Sequence, residues 1–539
     1  MELLKRTIGD CLTLRARQSP DKIAIEYWDK SYTWEELDRI TDYMAVRMSS
    51  FGMVKGDHVG IWSVNTPNWI ITFLALEKLG AIPVLINTCY RECELRRIIE
   101  YADIRYMYYG DGYKSMMYLP VVEQLQAQNW CRVERWIPIG RDSEGKWLTD
   151  RSFFTAEKSR KELTRLSRLR NQVRSEDIAA MLFTSGTTSA AKGVLLSHFN
   201  LVNSALCALE FTRWTAQDKL FLVVPLFHCF GITSGLLTSI HVGCTIHLLK
   251  YFKTIKVLEH IDKYRCTVLS GVPSMFLAMI RREEFDRFSL RSLKSGILAG
   301  SPISEREYMA IHEKLPWMDL LPSYGQTETS PCVTLMVKED PFKKRADSAG
   351  RLISHVELRI VNPDTDQVLE VGGTGEIEVR GYNIMQGYYK KPEETAAVLR
   401  PDGWLRTGDL GYMDQDGYLH IAGRRKEMII RCGENISPLE IETCIKELAF
   451  VQDVKVIGVP AEVVQEKIAA CIVPKAGMPC SEKQVLSYLE PRLAHYKIPS
   501  HVLWFDALPM NASGKVLISE LKNQVIDRLK QVEQNNAEK

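Results

Sequence analysis

From Leu220 to Leu249 the chain runs for thirty residues without an Asp, Glu, Lys or Arg. A stretch that apolar must leave water, and its length alone would let it cross a bilayer as a helix. Its interior argues otherwise. Pro225, Gly231, Gly235 and Gly243 interrupt it, three histidines sit within it, and Leu220–Val224 and Thr245–Leu249 are strand-like. The segment reads as strand, helix and strand, which demands a core large enough to cover all three. A chain of 539 residues can build that core and further domains besides.

The N-terminal part repeats the theme. Strand-like Asp21–Tyr27, Val59–Ser63 and Pro83–Asn87 alternate with helical segments. Thr33 and Glu36 have capping-box spacing, and Asn68–Leu79 reads as a helix ended by Gly80. Such alternation predicts parallel sheets covered on both faces. It is interrupted by Arg- and Lys-rich Lys158–Arg174, read as a solvated surface excursion, and then resumes to about residue 340. Val356–Ile360 and Gly375–Val379 suggest a smaller β-rich unit. Beyond the charged stretch Gly423–Gly433 comes a compact α/β segment: helix Pro438–Glu447, strands Asp453–Val459 and Lys467–Pro474, helix Ser481–Leu493. The expected fold class is α/β. A large N-terminal domain, 1–425, has parallel-sheet layers and a small β-rich subdomain, and a small α+β C-terminal domain spans 426–539.

With 69 basic and 67 acidic residues the formal charge is +2, so no nucleic-acid partner is expected. Met1–Asp10 has no apolar region of the secretory type. The 13 cysteines show neither zinc nor disulfide spacing. A reducing, cytoplasmic setting without an integral membrane segment is the expectation.

Chemistry concentrates in a few clusters. Phe183–Gly193 packs five hydroxyl residues, two glycines and Lys192 into eleven positions. That composition suits a phosphate cradle, in which backbone N–H groups and hydroxyls donate and the lysine adds charge. It suits a turn between two strands equally well. It is not a Walker loop, since Ala191 and Gly193 stand where that pattern needs glycine and Ser or Thr. Tyr324-Gly325-Gln326-Thr327-Glu328 offers a ring for stacking and a carboxylate for a hard cation. Thr407-Gly408-Asp409 offers an acceptor for hydroxyl pairs, Arg424–Glu427 a charged joint, and Asn511–Lys515 a lysine at the end of a turn. Each taken singly also reads as ordinary surface structure.

Their order is more informative. The hydroxyl-rich loop, Pro225-Leu226-Phe227-His228, Tyr324–Glu328, Thr407–Asp409, Gly423-Arg424-Arg425-Lys426 and Asn511–Lys515 follow one another as in the adenylate-forming superfamily. Over nearly its whole length the chain resembles acyl-CoA synthetases, most closely fatty-acyl and related acid–CoA ligases. The resemblance implies an ATP-dependent ligase that forms acyl-CoA through an acyl-adenylate, with ATP, Mg²⁺ and coenzyme A. A stand-alone ligase that loads a carrier protein is the alternative, and a homodimer is compatible with either.

By this resemblance Thr184, Ser185, Gly186, Thr187, Thr188 and Lys192 hold the β,γ-phosphates. Gly300, Ser301, Pro302, Tyr324 and Gly325 receive the adenine. Thr327 binds the α-phosphate, Glu328 with Thr184 holds Mg²⁺, and Asp409 with Arg424 takes the ribose. Lys515 bridges the acid carboxylate and α-phosphate as a catalytic residue alongside Glu328, Thr184 and His228. Lys426 is the hinge of a mobile C-terminal domain, and Gly433 lies along the pantetheine path. His228, Phe230 and Ile232 line the acyl pocket, with Leu226, Ser270–Phe276, Leu298 and Pro331–Leu335 as further candidates. Three positions depart from the family's usual pattern: Ser189, Ala191 and Cys432.

Overall fold

Parallel pairing dominates both large sheets of the computed structural model, which describes residues 2–140, 160–184, 192–431, 434–461, 465–493, 495–511 and 514–537. In the nine-stranded sheet, Ile23–Tyr27, Thr245–Leu248, Lys219–Leu222, Val268–Leu269, Ser295–Leu298 and Asp319–Tyr324 lie parallel in that spatial order. Antiparallel strands close both edges, Lys30–Thr33 on one side, Thr334–Leu335 and Arg351–Leu352 on the other. The uncharged run thus folds as expected, its two strands side by side and parallel. Its helical part is less regular: Gly231–Leu237 is a π-helix continued by the α-helix Thr238–Val242. Among the described residues no helix is long and apolar enough to cross a membrane.

The seven-stranded sheet has Ile178–Thr184, Ile82–Leu85, His58–Trp62, Tyr106–Tyr109 and Arg135–Pro138 in parallel. Lys192–Ser197 and Gly387–Tyr388 extend it antiparallel. One apolar core includes residues of both sheets. The helix Pro67–Leu79 lies within it, every residue except Asn68 being buried. Thr66 caps it, Pro67 starts it, and Gly80 ends it at φ +76°. A helix without a polar face belongs inside a core. Its one cation there, Lys78, is fully buried and paired with Asp38 at 2.6 Å and Asp42 at 2.8 Å.

Asp42 also receives Arg170 at 2.5 Å, from the helix Arg160–Gln172. This corrects the reading of the basic stretch. Its described part is an amphipathic helix: Leu166 and Leu169 are buried, while Arg165 and Arg168 on the other face are exposed as expected. The apolar i, i+3 spacing carries it, and its charge reaches a buried acid.

The β-rich unit is a four-stranded antiparallel sheet of Val356–Val361, Gly375–Gly381, Leu405–Met413 and Leu419–Arg424. A 3₁₀ turn, Arg425–Glu427, follows. The next strand, Ile429–Arg431, pairs instead with Glu434–Ile436 and Gln465–Pro474 in the C-terminal sheet. That sheet packs two apolar clusters of its own. Its helices, Pro438–Lys446 and Glu482–Leu489, are shorter than expected at their C-terminal ends.

Candidate active site

Thr184 and Lys192 are register partners across an antiparallel hairpin, so the hydroxyl-rich loop joins two strands. The loop proper, with Ser185, Gly186, Thr187, Thr188, Ser189 and Ala191, lies outside the described residues, as do Cys432 and Gly433. Both hairpin ends open into a cavity of about 1110 Å³. Also lining it are His228, Phe230, Gly300, Ser301, Gly325, Thr327, Glu328, Arg424 and Lys515. Residues separated by some 300 positions in the chain therefore meet at one opening.

Tyr388 organises the hairpin side, and sequence reading missed it. Its strand pairs with Lys192–Ser197. Lys192 Nζ stands 4.5 Å from its ring centroid, and its hydroxyl donates to Glu328 Oε1 at 2.9 Å. Glu328 sits in the 3₁₀ turn Thr327–Thr329. Burial pushes its carboxyl above the ordinary range, against hydrogen bonds that favour the anion. A cation beside it would relieve that cost. The Glu328 carboxylate and the Thr184 hydroxyl, both on the lining, are the hard oxygen donors that suit Mg²⁺.

A second cluster forms around Asp409. Tyr324, at the end of its strand, donates its hydroxyl to Asp409 Oδ2 at 2.7 Å, and Arg424 Nε lies 3.0 Å from Oδ1. Asp409 and Arg424 are register partners on adjacent strands, which fixes the pair. Burial raises the Asp409 carboxyl, and Arg424 is the first to oppose it. Gly325 permits the close turn after Tyr324, since a Cβ there would stand 1.8 Å from the Pro331 carbonyl oxygen. Gly300 has φ +91°, open to glycine without strain.

The C-terminal domain contributes Lys515. Asn511 builds its turn: the Asn511 side chain accepts from Lys515 N at 2.9 Å, and Asn511 N donates to the Lys515 carbonyl at 2.8 Å. Gly514 takes φ +78° between them. Burial, then Arg424, hold the Lys515 ammonium below the usual lysine range. Burial, then Lys515, push His228 down to about 4, so its imidazole is neutral near pH 7. His228 Nε2 is buried without a hydrogen-bond partner among the described residues. The domain is held in this position partly by Lys446, whose Nζ lies 3.0 Å from Glu307 Oε1 and whose carbonyl accepts from Arg306 at 2.8 Å.

Some expected residues lie elsewhere. Ile232 is fully buried in the core and is not part of the lining, because the π-helix presents Thr233 and Ser234 to the cavity. Leu226 and Leu298 are likewise core residues. Pro302, Tyr324 and Asp409 are off the lining, although their neighbours Gly300, Ser301, Gly325, Gly408 and Arg424 are on it. Lys426 has its backbone in the turn Arg425–Glu427, between the strands of the two domains. Tyr113, Tyr251 and Phe252, not foreseen, also face the cavity.

A lysine carried by a small domain to a cavity that the hairpin ends of a large one also line is an arrangement suited to adenylate formation, and the class is that of the adenylate-forming enzymes. The chain belongs to the AMP-binding enzyme family: the family's model matches residues 12–389, and that of the AMP-binding enzyme C-terminal domain matches 440–515. It is an AMP-forming acid–thiol ligase of the acyl-CoA synthetase type. A putative acyl-CoA synthetase of Bacillus subtilis, YngI, is 37% identical over 543 residues, covering 98% of each chain. The mitochondrial medium-chain acyl-CoA ligase ACSF2 of Bos taurus is 31% identical over 548 residues, covering 98% of this chain and 89% of the relative. The crystal structure of ATP-bound MatB from Rhodopseudomonas palustris superposes with a TM-score of 0.81 at 27% identity, over 96% of this chain and 98% of that one.

Proposed function

We propose that the protein joins a largely apolar carboxylic acid, of medium-chain alkyl or aryl type, to coenzyme A in two steps within this cavity. The observation that carries the reading is Lys515 lining the same cavity as His228, Thr327, Glu328 and Arg424. In the first step a carboxylate oxygen attacks the α-phosphorus of ATP, the bond to the β-phosphate breaks, and pyrophosphate leaves. Two anions must approach, and Lys515 offsets their repulsion. Thr327 holds the α-phosphate, Thr184 and Lys192 the departing end, and Asp409, fixed by Tyr324 and Arg424, the ribose. Mg²⁺ at Glu328 and Thr184 would supply charge neutralisation on the phosphates. In the second step the thiol sulfur attacks the acyl carbon and AMP departs. Rotation about Lys426 withdraws Lys515 and opens a path for the thiol.

The walls near His228 include Phe227, Phe230, Val272, Met275, Ala299 and Cys332, which favour an alkyl or aryl group. The name of the Bos taurus relative points the same way. The neutral His228, whose Nε2 has no hydrogen-bond partner among the described residues, is placed to orient the acid. A panel of carboxylic acids, scored for pyrophosphate release with ATP and for AMP release with and without CoA, tests the proposal. Medium-chain or aryl acids are expected to lead, with AMP release dependent on CoA. Pyrophosphate release with no response to CoA would instead point to a carrier protein as acceptor.

A further inference from the structure

His247, His260 and Cys266 bring one ligating atom each within 4.8 Å of one another, and all three residues are buried. They come from the strand Thr245–Leu248, the helix Thr254–Tyr264 and the turn after it. Register explains the convergence. His247 lies opposite Phe221 on the neighbouring strand, and the His260 ring stacks on Phe221 at 4.4 Å. Tyr264 covers both imidazoles, at 5.3 Å and 4.3 Å. Both ring nitrogens of His247 and Nε2 of His260 are buried without a hydrogen-bond partner among the described residues. Native cores rarely leave so many polar atoms unused in one place. Glu26, the register partner of His247 on its other side, has Oε2 3.6 Å from His247 Nε2.

We propose that His247, His260 and Cys266, with Glu26 as fourth ligand, form a site for one divalent transition-metal ion, with zinc the ion that best fits the donor set. Imidazole, thiolate and carboxylate are its usual ligands, at about 2.0–2.3 Å, which places ligand atoms of a tetrahedral site roughly 3.3–3.7 Å apart. The Glu26–His247 separation already has that value. The atoms of His247, His260 and Cys266 lie within 4.8 Å of one another and must draw closer by about 1 Å, and Glu26 must turn its carboxylate toward His260 and Cys266 to join them. Binding replaces the Cys266 S–H bond by an S–metal bond and releases one proton to solvent. Thiolate and carboxylate together then balance the double positive charge in the core. Glu26, 34% exposed, gives the ion its access path. Four protein ligands leave no open position, so the site is structural. It would tie the first strand of the large domain to the strand and helix beneath Lys250, Tyr251 and Phe252, which line the catalytic cavity.

The test is titration of chelator-stripped full-length protein with Co²⁺, followed by displacement with Zn²⁺. One equivalent of cobalt is expected to give the visible bands of a tetrahedral ion and a near-ultraviolet thiolate charge-transfer band. Cys266→Ser should abolish the charge-transfer band and weaken binding by more than about 100-fold, since even outer partners of metal ligands are worth up to about that factor. Glu26→Gln, at the exposed edge, should weaken binding about tenfold or more and provides the readout if Cys266→Ser does not fold. Absence of the bands, octahedral cobalt without a thiolate band, or binding unaffected by Glu26→Gln would each overturn the proposal and leave a plain buried histidine cluster.

Discussion

Replacing Lys515 by Ala removes the one cation that the C-terminal domain's turn brings to the cavity. In a site of effective dielectric constant about 20, an ammonium about 4 Å from a developing oxyanion is worth roughly 4 kcal/mol. At about 1.4 kcal/mol per decade that is roughly a 10³-fold loss in rate. Deletion of a single preorganised donor in other enzymes costs a similar 10²–10³, roughly. Neighbouring cations are poorly placed to compensate. Arg424 is held by Asp409 at 3.0 Å, and Lys192 lies over Tyr388 at 4.5 Å. The assay separates the half-reactions: acid-dependent pyrophosphate release, and CoA thiolysis of supplied acyl-adenylate. The first should fall by about 10³ and the second should be nearly unchanged. Equal losses in both, or pyrophosphate release that survives, would refute the reasoning.

Lys515 also sets an alkaline limit. Its folded pKa is lowered by burial and Arg424, so its charge is present below that pKa and lost as pH rises through it, earlier than for an ordinary lysine. The kcat/KM for pyrophosphate release should therefore decline on the alkaline side, and Lys515→Arg, charged throughout, should remove that limb even if its rate is lower. Tyr388→Phe deletes the hydroxyl on Glu328 Oε1. A lost hydrogen bond to a charged group is worth about 1.5–3 kcal/mol, so a roughly 10–100-fold fall in pyrophosphate release at limiting Mg²⁺ is expected, and an unchanged Mg²⁺ dependence would count against the pairing. Lys426→Pro stiffens the turn between the domains. It should spare adenylation while slowing thioester formation, and unchanged overall turnover would argue against rotation there. Lys78→Met removes the buried cation from Asp38 and Asp42, while Arg170 stays on Asp42, and urea unfolding should report a loss of about 3 kcal/mol, the lower end for a broken buried pair.

The legible parts of this chain were those that need particular residue types. Gly80 and Thr33 announce helix ends because left-handed backbone and side-chain capping select them. The motif loops are legible for the same reason, since close backbone approach and charge restrict what can stand there. Tyr388 was not legible. A tyrosine after a glycine is unremarkable until folding lays it between Lys192 and Glu328, residues far from it in the chain. Ile232 was misplaced because an apolar run has no periodicity from which to tell a π-helix from an α-helix, and the wider turn changes which side chain faces the cavity. The basic helix Arg160–Gln172 was misread for a related reason. Its charges dominate the composition, whereas the acid it serves, Asp42, lies 128 residues earlier. Long-range charge pairing leaves no local trace.

The strand Ile23–Tyr27 has its parallel neighbour more than two hundred residues downstream, with Ile25 opposite Ile246. At synthesis rates of about 5–20 residues per second, the N-terminal strand emerges roughly 10–40 s before the strand that must hold it. Until then only Lys30–Thr33 can pair with it, and the apolar helix Pro67–Leu79 has no second sheet to enter. The nascent chain must therefore carry exposed apolar surface through much of its own synthesis. A ribosome stalled before Thr245, or a gene cut there, would yield an adhesive fragment rather than a folded half. The strand order of the largest sheet thus sets how long that apolar surface waits for its cover.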